Sequence, residues 1–165
     1  MPKINFRHAI GFTLIEVLVS MVILALGLLG LASLQGISLK NNQDAFLFGQ
    51  ANALAYEMSD RIISNSQGWV TIPTPAATCA TGCDSAAASC TTSQMAAYDY
   101  CYWKQKALTV LSTGATAVIT ASPKAGSTTC TGTSASRCLT MTWSRTNQQL
   151  SASMNTTNYE LEVTP

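Results

Sequence analysis

The sequence predicts an α+β protein: a long N-terminal helix packed against a small antiparallel β-sheet, with loops held by disulfides. Three observations predict it. An apolar run, Val17 to Leu34, passes into an amphipathic stretch with no proline between Phe12 and Ile72. Two segments near the C-terminus alternate apolar and polar residues, the pattern of half-buried strands. All six cysteines, Cys79, Cys83, Cys90, Cys101, Cys130 and Cys138, lie beyond the apolar run. The 165 residues suffice for one modest domain and an anchor. Four segments are expected: a leader over 1–11, an apolar helical half over 12–39, an amphipathic half over 40–66, and a globular head over 67–165.

The leader, MPKINFRHAIG, carries Lys3 and Arg7 and no acid. Positive charge before an apolar span holds that end in the cytoplasm. The eighteen residues from Val17 to Leu34 are interrupted only by Ser20 and Ser33, and they meet the length of a membrane span. A cleaved secretory signal would carry a shorter core and a small-x-small cleavage site. Neither that nor a plain single-pass anchor explains Glu16, because an acidic group deep in hydrocarbon costs about 2.5–3.5 kcal/mol. Gly27 and Gly30, with Ala25 and Ala32, let helices approach closely in lipid. Each glycine also costs about 1 kcal/mol against alanine in an aqueous helix. They read as packing or bending points, or as ordinary membrane glycines.

From Lys40 the pattern becomes amphipathic. Leu47, Ala51, Leu54, Ala55, Met58 and Ile62 fall on one helical face, with Glu57, Asp60 and Arg61 off it. Gly68, after Ser64-Asn65-Ser66-Gln67, is the expected stop. One helix from Phe12 to about Ser66 would be roughly 80 Å long.

Residues 69–93 mix Pro73, Pro75 and Gly82 with Ser, Thr and Ala and three cysteines. They read as a disulfide-held loop, not a packed element. A short helix follows, starting at Ser93 or Gln94 and ending before Gly114. Strands are expected at Ala115–Ala121, Cys138–Ser144 and Tyr159–Val163. In the second, Leu139, Met141 and Trp143 share one face; in the third, Tyr159, Leu161 and Val163 do. Joined by the polar loop Thr146–Asn158, these two strands form an antiparallel pair. Their apolar faces cover Leu54, Met58 and Ile62. Cys138 then points away from that face and pairs with Cys130, clipping the loop Thr131–Arg137. An even cysteine count on one side of an anchor indicates disulfides in an oxidising compartment. Zinc is the rival, but Cys79 and Cys83 lack a second close pair, and His8 is the single histidine. Six cysteines allow 15 pairings, so the remaining connectivity stays open.

The sequence offers little chemistry. No Ser/His/Asp or Cys/His set can form beyond the membrane, because His8 lies in the leader. There is no GxGxxG and no phosphate-binding loop. Asp44, Glu57, Asp60, Asp84, Asp99, Glu160 and Glu162 show no spacing that marks a catalytic pair. The expectation is no enzyme, no cofactor, no metal and no small-molecule substrate. A net charge of +1 gives no bulk attraction to polyanions. Tyr98, Tyr100, Tyr102, Trp103, Lys104 and Lys106 could stack on single-stranded DNA. On a helix they spread over several faces, so packing is the alternative.

The string Gly11-Phe12-Thr13-Leu14-Ile15-Glu16, after a short basic leader and before an apolar helix, resembles the signature of the type IV pilin family. The resemblance implies a ladle-shaped fold. It also implies that a membrane prepilin peptidase cuts between Gly11 and Phe12 and N-methylates Phe12. The catalytic carboxylates belong to that peptidase. Glu16 becomes the fifth residue of the mature chain, four residues from the new amine and on the same helical face. A carboxylate there favours the helix dipole, and in a bundle it meets the amine of a neighbouring subunit, setting the axial register. ALAYEMSDRI, MAAYDYCYWK and CLTMTWSR are similar to segments of minor pilins of this family. The implied location is the bacterial inner membrane, spanned once with a cytoplasmic N-terminus and periplasmic head, and then the pilus or cell surface. The implied partners are the peptidase, other major and minor pilins, and the inner membrane before assembly. A type II secretion pseudopilin and a membrane-tethered adhesin or DNA-binding module are the alternatives.

Overall fold

The computed structural model describes residues 11–75, 79, 83, 89–111, 114–144 and 156–165. Most of the leader, much of the expected disulfide loop, and residues 146–155 of the expected polar loop lie outside them. Helix α1 spans Leu14–Ser64. The chain divides into two compact units, one up to Asn41 and one from Asn42 to Pro165.

In the first unit every described residue is exposed. Val17, Val19, Val22 and Ile23 are poor helix formers in water. In hydrocarbon a helix is favoured because it satisfies every backbone group within the segment. The helix starts at Leu14, two residues later than the sequence reading. Thr13 is the reason: the Glu16 amide donates to Thr13 Oγ1 at 3.4 Å and to its carbonyl at 3.1 Å, an N-cap arrangement.

The second unit begins with the amphipathic part of α1. Ala51, Leu54, Ala55, Met58 and Ile62 are buried there, and Leu47 packs at the margin. α1 ends at Ser64, and a 3-10 turn follows over Ser66–Trp69. That turn corrects the reading of residues 69–93 as an unpacked loop, because Trp69 is fully buried in the core. Helix α2, Thr92–Leu111, is 20 residues long and starts earlier than expected. Thr91 and Gln94 form a reciprocal cap: the Gln94 amide donates to Thr91 Oγ1 at 3.3 Å, and the Thr91 amide donates to Gln94 Oε1 at 2.9 Å. This T-x-x-Q box satisfies two amides that a helix start leaves open. Ala96, Tyr100, Trp103, Ala107 and Leu111 form its buried stripe.

Strands β1 (Thr116–Ala121), β2 (Arg137–Ser144) and β3 (Thr156–Val163) form one antiparallel sheet in the order β1-β2-β3. β3 begins at Thr156, so the last three residues of the expected polar loop are strand instead. Leu139 pairs with Ile119 on one side and Leu161 on the other. The face carrying Leu139, Met141, Trp143 and Val163 packs with Leu54, Met58 and Ile62 of α1 in one core. Each large apolar side chain so buried contributes about 1.5–3 kcal/mol. The small Ala51, Ala55, Ala96 and Ala107 leave room for Trp69, Trp103 and Trp143.

Disulfides join Cys79 to Cys101, Cys83 to Cys90, and Cys130 to Cys138. Cys138 lies on the sheet face opposite Leu139, and with Cys130 it is fully buried. The first bridge closes 22 residues and fixes that segment to α2. On chain entropy it contributes about 3.4 kcal/mol, against about 2.4 for each shorter loop.

Candidate functional site

Gly11, Phe12 and Thr13 lie outside the helix. Phe12 is 83% exposed. A Cβ added at Gly11 would meet nothing within 4 Å, and its φ is not in the left-handed range. Nothing in this chain's own packing requires glycine there. Glu16 is exposed in the first turn of α1, where its carboxylate favours the helix dipole. Ser20 Oγ donates to the Glu16 carbonyl at 2.7 Å. Phe12 precedes the helix, yet it borders the same open groove as Glu16, Val17, Ser20, Met21 and Leu24. Gly27 and Gly30 also face open space. By length and composition α1 can cross a membrane.

Several charged groups of the head hold its elements together. Arg61 donates to Asp99 Oδ1 at 2.6 Å and to Glu57 Oε1 at 3.2 Å, and Lys106 Nζ donates to Glu57 Oε2 at 2.6 Å. Burial pushes the Asp99 carboxyl above its ordinary range, outweighing the guanidinium beside it. Burial alone would lower the Arg61 pKa, but Asp99 and Glu57 raise it overall. The asymmetry follows exposure, since the Asp99 side chain is 7% exposed and that of Arg61 is 35%. Burial also pushes Glu57 up, yet Lys106 and Arg61 together hold it below the usual carboxylate range.

A second cluster secures the loop before β2. Glu160 accepts from Lys124 Nζ and Ser127 Oγ, and these bonds hold its carboxyl below the usual range. Glu162 accepts the Gly132 amide at 2.9 Å and the Thr131 amide at 3.2 Å. Arg137 is 3% exposed. Among the described residues its guanidinium donates to backbone carbonyls: Trp69, Val70, Ser134, Ala135 and Ser136. Burial lowers its pKa.

The aromatic cluster on α2 divides. Trp103 Nε1 donates to the Leu54 carbonyl at 2.9 Å, and Tyr100 Oη accepts the Ile119 amide at 3.0 Å. Both rings are core. Tyr98 and Tyr102 stack with centroids 6.2 Å apart, and the Arg61 guanidinium lies 5.6 Å from the Tyr102 centroid. With Lys106 paired to Glu57, the six residues do not form one basic aromatic face. All six cysteines are in disulfides, and among the described residues no His/Cys/Asp/Glu group could hold a metal. Arg137, Glu162, Thr13 and the Thr91–Gln94 cap were not singled out from the sequence. The T-x-x-E and T-x-x-Q spacings signalled the caps; nothing local signalled Arg137.

Residues 7–32 match the family model of the prokaryotic N-terminal methylation motif. No curated protein and no solved structure matches the chain. The class so defined is a pilin-like α+β chain with a prepilin-type leader motif. The motif supports a precursor of the type IV pilin or pseudopilin kind. It implies processing by a prepilin peptidase and association with other pilins, and with the apolar helix it fits membrane anchoring.

Proposed function

We propose that this chain is a minor type IV pilin of the PilV kind, a type IV pilus modification protein. It is held in the bacterial inner membrane with its head periplasmic, cut after Gly11, methylated at Phe12, and built into the pilus or its initiating complex. The motif over residues 7–32, which takes in the start of a helix of 51 residues, carries this reading. Its mechanism is non-covalent assembly, and its output is adhesion and twitching motility. Gly27 and Gly30 are open to a neighbouring helix. Mass spectrometry of the mature protein is expected to find N-methylphenylalanine at Phe12. An N-terminus at Met1, or an unmethylated Phe12, overturns the reading.

A type II secretion pseudopilin carries the same motif. Deleting the gene separates the two: loss of surface pili and twitching supports the pilin, and loss of exoprotein secretion supports the pseudopilin. Glu16 is read as the partner of a neighbour's Phe12 amine. Glu16→Ala is expected to insert in the membrane normally and to be incorporated into filaments at least about tenfold less, since an uncompensated buried charge costs well over 1.4 kcal/mol. Normal incorporation refutes the pairing role.

A further inference from the structure

Thr13 caps the start of α1. Were the helix to run back another turn, the Ile15 amide would bond the Gly11 carbonyl and the Glu16 amide the Phe12 carbonyl. The Gly11 carbonyl belongs to the peptide bond that processing must break. Inside a helix it would be engaged and its flanks coiled, out of reach of an attacking water. The pressure to extend is real at a membrane, where an open amide is costly. In this chain the Glu16 amide is diverted to Thr13 Oγ1 at 3.4 Å and to the Thr13 carbonyl at 3.1 Å. The first carbonyl to accept from four residues on is that of Thr13, from the Val17 amide at 3.4 Å. Gly11 and Phe12 are left outside the helix, with Phe12 exposed.

We propose that Thr13 is a positioning residue for leader removal: its hydroxyl caps α1 and so keeps the Gly11–Phe12 bond outside the helix and open to the peptidase. This rests on the reading of the chain as a processed precursor. Glu16 contributes its amide to the same cap, independently of what its carboxylate meets after assembly. Gly11 helps, being itself a poor helix former. The hydroxyl at Thr13 is the specific element.

The test uses the full-length precursor in lipid vesicles with a purified prepilin peptidase, and it follows initial rates of leader release. Thr13→Val keeps the shape and removes the acceptor; cleavage is expected to fall about fivefold, the equivalent of about 1 kcal/mol for a lost cap. Thr13→Ser and Thr13→Asn restore an N-cap with different shapes and are expected within about twofold of wild type. Carbon chemical shifts at Phe12 should move toward helical values in Thr13→Val only. If Thr13→Val is cut as fast as wild type, the positioning role is wrong. If Thr13→Asn is as slow as Thr13→Val, the peptidase reads threonine directly and the cap is not the cause. A wild-type precursor left uncut overturns the processing reading itself, and the inference with it.

Discussion

Arg137→Met is expected to destabilise the head by about 3–5 kcal/mol, close to the whole stability of a small domain. The guanidinium, 3% exposed, is the hub where three pieces of chain meet: the end of the 3-10 turn, the loop before β2, and β2 itself. It donates to carbonyls at Trp69 and Val70 on one side and at Ser134, Ala135 and Ser136 on the other. Methionine fills a similar volume but offers no donor. The carbonyls would then stay desolvated without partners, at about 1–3 kcal/mol for each left unsatisfied. Arg137→Lys should recover little, because one ammonium cannot span two strands of chain with a planar fork. Urea titration of the soluble head with α1 shortened to begin at Asn42, where the second compact unit starts, reads the effect directly. A loss under about 1 kcal/mol would show that the carbonyls find water and that the hub role is wrong.

How much of this was legible in the sequence depends on the range of the signal. The α1 stripe, Leu47 to Ile62, was readable because helical period is a local property and all its members bury against one sheet. The β2–β3 pair was readable for the same reason: Leu139, Met141 and Trp143 alternate cleanly, and so do Tyr159, Leu161 and Val163. Trp69 was misread because its burial depends on elements elsewhere in the chain, Tyr100 of α2 and the core of α1. Arg137 was invisible for a sharper reason. A charged residue at a strand start reads as solvated, and only the tertiary fold adds the Trp69 and Val70 carbonyls to the three local ones of Ser134, Ala135 and Ser136. In the candidate processing site, Gly11, Phe12 and Glu16 were legible through their motif. Thr13 lies inside the same motif, and its T-x-x-E spacing to Glu16 is the local signal of the cap.

Gly68→Ala is expected to cost about 3 kcal/mol, although alanine is the better residue in most helical contexts. The sequence reads Gly68 as the helix stop, but α1 ends at Ser64 and Gly68 sits inside the 3-10 turn that follows. Its backbone is not in the left-handed range, and the constraint is space instead. An added Cβ would fall inside contact distance of the Thr92 carbonyl oxygen, 2.6 Å from Asn65 Nδ2 and 2.9 Å from the Thr92 carbonyl carbon. Two of those three atoms are backbone, so no rotamer change can relieve the overlap. The Thr92 carbonyl is also held by Asn65 Nδ2 at 2.8 Å, the bond that ties the end of α1 to the start of α2. Making room separates these elements and moves Trp69, the next residue, whose carbonyl is a partner of Arg137. The disturbance therefore reaches the carbonyl hub. Gly49→Ala is the matched control: Gly49 lies in exposed α1 with nothing within 4 Å of an added Cβ, so alanine there should gain up to about 1 kcal/mol. Thermal unfolding of both variants should move in opposite directions. If Gly68→Ala melts with or above wild type, the close approach of Thr92 is not what requires glycine at this position.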